Sequence, residues 1–341
     1  MPVDAHLGRR PGVSETETAV GYRGLIRLLL SAGLLVLAGC TATSPFPGQA
    51  GAGWRLVWSD EFNGPAVDRT KWNFDQGNGF TVPDTKAWIA GWGNNELQYY
   101  TDRHENACVK KGLLHICAVR EPYQKCQYTS ARLVTKGLFG KTYGRFEFRA
   151  TLPCGPGLWP ALWLLPVDNA YGGWAASGEI DVMEARGQEP SKVLGTIHFG
   201  SRWPHNDHSG AEYVFPDQAG INDFHVYALE WEPGVMRWYV DGHLYSTKRQ
   251  WWSCSKINSR HEGVRPTEQA ERTPWPAPFD KPFYLVMNLA VGGRFPGNPD
   301  ASTTFPTEMV VDYVRVFDKA GGYGSPMPPE NEGHAASTIA P

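Results

Sequence analysis

Apolar and polar residues alternate with a period of two along five stretches: Tyr143 to Ala150, Val193 to Phe199, Phe224 to Trp231, Met236 to Val240 and Met309 to Phe317. Successive side chains of a β-strand point to opposite faces, so this alternation predicts strands with one buried face. Turn residues separate the stretches, as at Glu232-Pro233-Gly234 and at Asp241-Gly242, a pair typical of tight hairpins. Helical periodicity is hard to find after Trp54, and the pattern therefore predicts an all-β body.

Many short strands joined by frequent turns favour two stacked antiparallel sheets. We predict an all-β fold, a β-sandwich of the jelly-roll type with a concave cleft, rather than a barrel or an α/β fold. One domain is predicted to span 54–318, a size that all-β sandwiches reach. The stretch from Ser253 to Pro278 is long, polar and almost free of aliphatic residues, and we interpret it as a surface insertion.

The two ends of the chain differ in composition from a packed domain. An apolar run from Leu25 to Ala38 is too short for a typical membrane span and has the length of a signal-peptide core. Residues 1–40 are therefore predicted to be an export signal, and 41–53 a flexible tether. Residues 319–341 contain several prolines and few apolar side chains, and are predicted to form a disordered tail.

The apolar run closes on Leu37-Ala38-Gly39-Cys40, which resembles the lipobox of bacterial lipoproteins, whose cysteine is acylated. The resemblance implies a lipid anchor on Cys40, a place at the bacterial cell envelope, and contact with the membrane only through that anchor. The alternative is an ordinary signal peptide, which releases a secreted protein. An odd number of further cysteines leaves at least one unpaired and the pairing of the rest open: Cys108, Cys117, Cys126, Cys154 and Cys254.

The charge balance excludes some partners. The formal net charge of the 341 residues is −3, so no basic field exists to hold nucleic acid. Aromatic residues make up 13% of the chain, and their flat apolar faces can stack on sugar rings as well as fill a core. We expect a monomer with a neutral partner and no nucleic acid.

One predicted strand carries three acids, in Glu179-Ile180-Asp181-Val182-Met183-Glu184. On a regular strand Glu179 and Asp181 share a face, while Glu184 points the other way. If Met183 is the extra residue of a β-bulge, the alternation slips by one and Glu184 rejoins that face. Clustered carboxylates then raise the pKa of at least one member, as a general acid near neutral pH requires. The alternative, an exposed acidic strand edge, is disfavoured by the interleaved Ile, Val and Met.

Retaining glycosidases need two carboxyl groups about 5–5.5 Å apart. The stretch from Ser177 to Gly187 resembles the signature of glycoside hydrolase family 16, in the bulged form typical of laminarinases, the endo-β-1,3-glucanases. Further blocks resemble the family's in its order: 58–62, 92–101, 157–163, 195–198 and 288–293. The resemblance covers about 54–318 and weakens at Ser253 to Pro278, which is longer and more charged than expected.

The resemblance implies a role for each acid. Glu179 corresponds to the nucleophile, Glu184 to the general acid and base, and Asp181 to a helper that modulates the proton of the nucleophile. His198 resembles the family's active-site histidine, a satisfied core histidine being the alternative. Candidate sugar contacts are Trp159, Trp163, Trp174, Asn95, Arg145 and Trp231.

Many family members hold a structural calcium, and Glu61 and Asp312 occupy the matching blocks. The resemblance therefore implies a calcium candidate at these two acids, with ordinary surface carboxylates as the alternative. No cofactor is required for the chemistry. We interpret His205-Asn206-Asp207-His208 as a polar loop rather than a metal site, because spacing provides no third ligand.

The implied function is retaining hydrolysis of internal β-1,3 linkages in a laminarin-like β-glucan by double displacement. Alternatives within the class are a mixed-linkage β-1,3-1,4-glucanase or a hydrolase of a galactan such as agar or carrageenan. A non-enzymatic alternative is a β-glucan-binding surface lipoprotein, which the presence of all three acids disfavours. A purely structural lipoprotein would need no row of acids.

Overall fold

A computed structural model describes residues 53–82, 85–217, 219–254 and 272–330. These residues form two large β-sheets and one small hairpin, with a 3₁₀ turn at Gly91–Gly93. Within these ranges, no helix has the length and apolar character needed to span a membrane. The predicted export signal, Cys40 and the tether up to residue 52 lie outside the described residues.

The larger sheet has ten strands and is called the back sheet. Its strands are β1 (Trp54–Asp60), β5 (Gln98–Tyr100), β6 (Ala107–Lys110), β7 (Leu113–Tyr123), β8 (Cys126–Ser130), β10 (Gly144–Thr151), β15 (His225–Glu232), β16 (Val235–Val240), β17 (His243–Lys248) and β19 (Thr307–Lys319). They run in the order β17-β16-β15-β10-β19-β7-β8-β5, with β1 paired to β19 and β6 paired to β7.

The second sheet has seven strands and is called the front sheet. Its strands are β2 (Asn73–Phe74), β9 (Arg132–Val134), β11 (Leu158–Pro166), β12 (Glu179–Glu184), β13 (Lys192–Gly200), β14 (Asn206–Val214) and β18 (Phe283–Val291). The order is β14-β13-β12-β11-β18-β9-β2, so the acid-bearing strand β12 lies between β11 and β13. The hairpin consists of β3 (Gly79–Thr81) and β4 (Trp88–Ala90).

The apolar faces of the two sheets pack against each other. Phe146 and Phe148 of the back sheet belong to the same buried cluster as Leu162 and Ile180 of the front sheet. Removing these faces from water is the main driving force for stacking the sheets. The two stacked, largely antiparallel sheets confirm the predicted β-sandwich.

The alternating stretches correspond to strands β10, β13, β15, β16 and β19, as predicted. The turn between β16 and β17 has Asp241 and Gly242 at φ angles of 49° and 81°. Tight hairpin turns require positive φ at both central positions, which explains why this pair ends one strand and begins the next.

The chain after β19 is ordered by hydrogen bonds as far as Glu330. The backbone N–H of Met327 donates to the carbonyl of Pro233 at 3.0 Å, and the indole of Trp275 donates to the carbonyl of Met327 at 2.7 Å. The prediction of a disordered tail is therefore wrong for 319–330, because a proline-rich segment still offers carbonyl acceptors that neighbouring donors can use. Residues 331–341 lie outside the described part.

The stretch interpreted as a surface insertion is anchored at both ends. The hydroxyl of Ser253, which is fully buried, donates to the carbonyl of Ala176 at 2.8 Å. At the other end, the Trp275 ring stacks on Trp251 with centroids 4.5 Å apart. The interpretation is wrong for these flanks, since low aliphatic content does not prevent burial of Ser253 or of 276–278. Residues 255–271 lie outside the described part.

Candidate active site

Strand β12 carries a β-bulge between its acids. On the neighbouring strand β13, the partners of Asp181 and Glu184 are two positions apart, whereas these two acids are three apart. The intervening Val182 and Met183 therefore face a single residue, Gly195. The pairing with β11 shifts at the same place. An extra residue reverses the side-chain alternation of the strand, so the predicted bulge is confirmed.

The bulge brings three acids and one imidazole to one face. His198 pairs with Glu179 across β12 and β13, and its Nε2 lies 3.8 Å from Glu179 Oε1 and 3.4 Å from Asp181 Oδ2. The negative charges of Asp181 and Glu179 both raise the pKa of Glu184, because the three carboxyl groups lie close together. These residues are the four that the sequence places in the catalytic centre.

Each of the two glutamates accepts a hydrogen bond from an indole. Trp174 Nε1 donates to Glu179 Oε2 at 3.0 Å, and Trp159 Nε1 donates to Glu184 Oε1 at 3.0 Å. A donor on one carboxylate oxygen fixes the rotamer and leaves the second oxygen for chemistry. The sequence predicts these two tryptophans as sugar contacts, and the structure shows that their indoles orient the two glutamates.

The two glutamates have raised pKa values. Burial is the largest cause at each, and the charge of Asp181 adds to it, so that the pKa of Glu179 rises to about 7 and that of Glu184 to about 8. Because both pKa values are raised into the neutral range, one of the two glutamates can hold a proton while the other is ionised. That combination is the one a nucleophile and a general acid need.

His198 provides the compensating positive charge. Burial opposes the protonated imidazole, but the interaction with Asp181 and the charges of both Glu179 and Asp181 outweigh burial and raise the pKa of His198 to about 9. The contact to Asp181 is long for a hydrogen bond, and we treat it as an ion pair. A protonated His198 lowers the cost of keeping carboxylates ionised here.

The bulge is supported from the back sheet. Trp238 on β16 donates its indole N–H to the carbonyl of Asp181 at 2.9 Å. A bulge disrupts the ladder locally, and a buried carbonyl then needs another donor. An added Cβ at Gly195 would lie 2.4 Å from Trp238 Cδ1, so only glycine lets the indole reach this carbonyl.

We expect Gly195→Ala to destabilise the protein by about 1–3 kcal/mol, the usual cost of an extra methyl in a packed core. The displaced Trp238 indole should also disturb Asp181 and lower kcat. Thermal unfolding and steady-state kinetics measure the two effects. Gly64→Ala is the control, because an added Cβ there has its nearest neighbour at 3.5 Å; equal behaviour of the two variants would contradict the proposed support.

We expect Trp174→Phe to reduce kcat/KM about tenfold at neutral pH, since a hydrogen bond to a charged group contributes about 1.5–3 kcal/mol and Trp174 is partly exposed. The indole stabilises ionised Glu179, so its loss should also move the acid limb of the pH profile upward. Trp88→Phe changes an exposed tryptophan on β4 and is the control. An acid limb unchanged in Trp174→Phe would exclude this role.

Trp163, the third predicted aromatic, belongs to a cation-π stack that sequence analysis missed. Its ring and that of Trp92 lie on either side of Arg132, with the guanidinium carbon 4.7 and 4.5 Å from the two centroids. Asp75 holds the same arginine through a 3.0 Å contact to Nε. A lone arginine on a short strand produces no sequence pattern, although Trp92 lies in one of the family-like blocks.

A hydrogen-bond relay lies behind Trp163. Its indole donates to Asn288 Oδ1 at 2.7 Å, the Asn288 amide donates to the Tyr100 hydroxyl at 3.0 Å, and that hydroxyl donates to Glu96 at 3.2 Å. The relay fixes the tilt of the indole beside the acids. Asn288 and Glu96 both fall inside family-like blocks, which is the signal that could have identified them.

The rim of the site contains exposed polar and aromatic groups. Asn95 is exposed, with φ at 61°, in the loop that leads to β5. Trp203 is 65% exposed, and its backbone N–H donates to the carbonyl of Trp174 at 2.8 Å. The His208 ring lies 5.8 Å from that of His198. Asn206–His208 begin β14, so their interpretation as a loop was wrong.

Two predicted sugar contacts lie elsewhere. Trp231 is fully buried in the core, where its indole donates to the carbonyl of Phe279 at 3.2 Å. Arg145 is buried in the back sheet and pairs with Glu147 at 2.7 Å and Glu230 at 2.9 Å. Both predictions are wrong, because alternation indicates a strand but not the sheet to which it belongs.

The two calcium candidates are each engaged by an arginine. Glu61 accepts hydrogen bonds of 2.9 and 2.7 Å from Arg315, and Asp312 pairs with Arg149. A guanidinium on each carboxylate supplies the positive charge that a calcium ion would otherwise provide. As arranged here, the two acids do not fit a calcium site, and no step of the chemistry involves them.

The family model for glycosyl hydrolases family 16 matches residues 85–259. A glucan endo-1,3-beta-glucosidase A1 from Niallia circulans is 48% identical over 278 residues, covering 78% of this chain and 38% of the relative. A beta-glucanase from Rhodothermus marinus is 44% identical over 295 residues, covering 83% of this chain and 92% of the relative. The chain thus spans about two fifths of the first relative and nearly all of the second.

A solved structure has the same architecture. The laminarinase catalytic domain from Thermotoga maritima superposes with a TM-score of 0.64 at 40% sequence identity, covering 78% of this chain and 98% of that domain.

Proposed function

Because the chain belongs to glycosyl hydrolase family 16, we propose that it is a retaining endo-β-1,3-glucanase that uses Glu179 as nucleophile and Glu184 as general acid and base. The single observation that carries the proposal is the bulge of β12, which places both glutamates and Asp181 on one face. The raised pKa values of both glutamates support a site in which one of the two carboxyl groups keeps a proton near neutral pH.

In the first step, the ionised Glu179 attacks the anomeric carbon while Glu184 gives its proton to the departing glycosidic oxygen. The bond between that carbon and oxygen breaks, and a covalent glycosyl-enzyme ester forms on Glu179. Trp174 orients the attacking carboxylate through its 3.0 Å hydrogen bond, and Trp159 does the same for the acid.

In the second step, Glu184 is ionised and takes a proton from water, whose oxygen attacks the anomeric carbon and releases Glu179. Two inversions leave the configuration unchanged. Asp181 and the protonated His198 keep the charge of the site balanced as the proton moves. The carboxyl groups alone carry out this chemistry, and no cofactor takes part.

Product stereochemistry tests the mechanism. Proton NMR of the first-formed product from a β-glucan should show the β anomer before mutarotation. An α anomer at the earliest time point would mean inversion and would exclude the double displacement.

The proposed substrate is a neutral β-1,3-glucan. The partly exposed aromatic rings of Trp174 and Trp203 beside the acids provide faces for stacking on sugars. A panel of laminarin, mixed-linkage β-glucan, agar and carrageenan with product sizing tests the assignment. We expect the highest kcat/KM on laminarin and early appearance of intermediate-sized oligosaccharides; faster cleavage of mixed-linkage glucan would favour that specificity instead.

The binding-only alternative has its own test. Glu179→Gln should retain binding to laminarin in affinity electrophoresis while releasing no reducing ends. A wild-type protein that binds laminarin but never cleaves it would favour the glucan-binding alternative.

We also propose export and lipid anchoring through Cys40, on the basis of the apolar run and the lipobox-like Leu37-Ala38-Gly39-Cys40. Labelled palmitate should be incorporated into the wild type and not into Cys40→Ala, with Cys126→Ser as the matched control. Palmitate-free protein recovered from the culture medium would instead indicate an ordinary secreted enzyme.

A further inference from the structure

A row of flat side chains leads from the acid-bearing strand to the hairpin of β3 and β4. Trp163 of β11 lies opposite Asp181 in the register of β11 and β12. The Arg132 guanidinium lies 4.7 Å from the Trp163 ring and 4.5 Å from the Trp92 ring. The Trp92 ring in turn stacks on Phe80, with centroids 6.2 Å apart and planes inclined by 30°. The row therefore starts beside the acids and ends on the hairpin.

Backbone hydrogen bonds fix the base of the hairpin. Gly77, which precedes β3, exchanges two of them with Tyr100 of β5, at 3.0 and 2.8 Å. The carbonyl of Gly77 also accepts a hydrogen bond of 3.3 Å from the indole of Trp92. After β4, the N–H of Gly91 donates to the carbonyl of Asn78 at 2.6 Å. The hairpin is thus tied both to β5 and to the tryptophan that precedes it in the row.

The two exposed aromatic residues of the hairpin lie on opposite faces. Phe80 pairs with Ile89, and Trp88 pairs with Thr81. Successive residues of a strand alternate in direction, so Phe80 and Ile89 share one face and Trp88 lies on the other. A Cβ added at Gly93 would lie 3.9 Å from Phe80 and 3.8 Å from Ile89, which places this face against the 3₁₀ turn. The face of Phe80 therefore continues the row, and that of Trp88 does not.

Part of the Phe80 ring is open to solvent, since this residue is 39% exposed. We propose that Phe80 binds one glucose unit of the β-glucan chain, beyond the units that lie beside the acids. The occupant follows from continuity, because a chain that starts at the acids and lies along the row reaches Phe80 last. A neutral sugar has flat apolar faces that stack on an aromatic ring. The inference rests on the proposed glucanase function and adds a distal binding position to it.

A distal position makes binding depend on the length of the glucan. A trisaccharide occupies only the positions next to Glu179 and Glu184, whereas a polymer also covers Phe80. One aromatic stacking contact should strengthen binding of the polymer roughly three- to tenfold. The fixed base of the hairpin favours this gain, because little ordering is needed when the sugar binds.

The ratio of kcat/KM on laminarin to kcat/KM on laminaritriose measures the dependence on length. Phe80→Leu removes the flat ring and keeps an apolar side chain against Trp92, and we expect the ratio to fall roughly three- to tenfold. Phe80→Tyr retains the ring and should restore the wild-type ratio. Trp88→Leu is the matched control, because it removes a ring that is 55% exposed on the opposite face of the same hairpin.

Two kinetic outcomes would overturn the inference. One is an equal ratio in the wild type and Phe80→Leu. The other is an equal fall of the ratio in Phe80→Leu and Trp88→Leu, which would show that any disturbance of the hairpin has the same effect. Thermal unfolding of each variant near the wild-type temperature shows that the fold is retained.

Affinity electrophoresis in laminarin gels provides a second measurement, without turnover. In the Glu179→Gln background, Phe80→Leu should weaken the retardation of the protein by laminarin, and Trp88→Leu should leave it in place. Undiminished retardation in Phe80→Leu would overturn the distal position even if the wild type cleaves laminarin. The proposed function fails on a different result, namely a wild type that releases no reducing ends from laminarin.

Discussion

Replacing either Glu179 or Glu184 by alanine should lower kcat on laminarin roughly 10³-fold or more, since a positioned acid or base alone contributes about 10²–10⁴-fold. Both side chains lie on one face of β12, and each is held by an indole hydrogen bond, so truncation removes the reacting group without filling its space. Reducing-end release measures the loss. Glu212→Gln, which alters an exposed acid on β14, should behave as the wild type.

Azide rescue distinguishes the two roles. With an activated aryl β-glucoside, azide should replace the nucleophile in Glu179→Ala and give an α-glycosyl azide in one displacement. In Glu184→Ala, the glycosyl-enzyme ester still forms, and azide should give the β-glycosyl azide after two displacements. Exchanged products in the two variants would reverse the assignment of nucleophile and acid.

Replacing Asp181 by asparagine should lower kcat roughly 10²-fold and move the whole pH profile of kcat/KM toward acid. The active form needs Glu179 ionised and Glu184 protonated, so the acid limb follows the former and the basic limb the latter. The charge of Asp181 raises the pKa of both glutamates, and it outweighs the opposite effect of His198 at each. Removing that charge therefore lowers the pKa of both glutamates and moves both limbs of the profile to lower pH.

The wild-type profile provides the reference for this shift. Because burial and the charge of Asp181 raise the pKa of both glutamates, activity should peak at a higher pH than two carboxyl groups with ordinary pKa values would give. The Glu212→Gln control should leave both limbs in place. A basic limb that stays fixed, or moves upward, in Asp181→Asn would show that Asp181 does not act through the charge of the acids.

Much of the fold follows from side-chain alternation. The stretch from Met309 to Phe317 is apolar except for Asp312 and Arg315, which marks a strand buried in the sandwich, and it lies within the long central strand β19. The bulge in β12 was inferred differently. Strict alternation separates Glu184 from Glu179, and only the chemical need for two acids on one face indicated an extra residue between them.

Other features depend on contacts that no local pattern encodes. The hydrogen bonds from Trp159 and Trp174 to the two glutamates require a particular register and loop path, and neither follows from spacing. Trp231 is an aromatic residue of the type that often stacks on sugars, yet its strand belongs to the back sheet and its ring is buried in the core. The guanidinium of Arg132 makes cation-π contacts with Trp92 and Trp163, which are distant from each other in sequence.

The segment after β19 shows that composition alone does not predict whether a proline-rich segment is ordered. Residues near Met327 are rich in proline and lack an apolar pattern, which predicts disorder when only burial is considered. Backbone carbonyls in this segment nevertheless accept hydrogen bonds from Trp275 and Arg249. Ordering here depends on donors supplied by other parts of the fold.

The bulge gives β12 an asymmetric tolerance to changes in length. Deleting Met183 leaves Glu-Ile-Asp-Val-Glu, a regular strand in which alternation alone keeps both glutamates and the aspartate on the same side. Inserting one more residue at the same place turns the second glutamate toward the buried face of the strand. Shortening the strand by one residue therefore keeps the three acids on one side, whereas lengthening it by one separates the proton donor from the nucleophile.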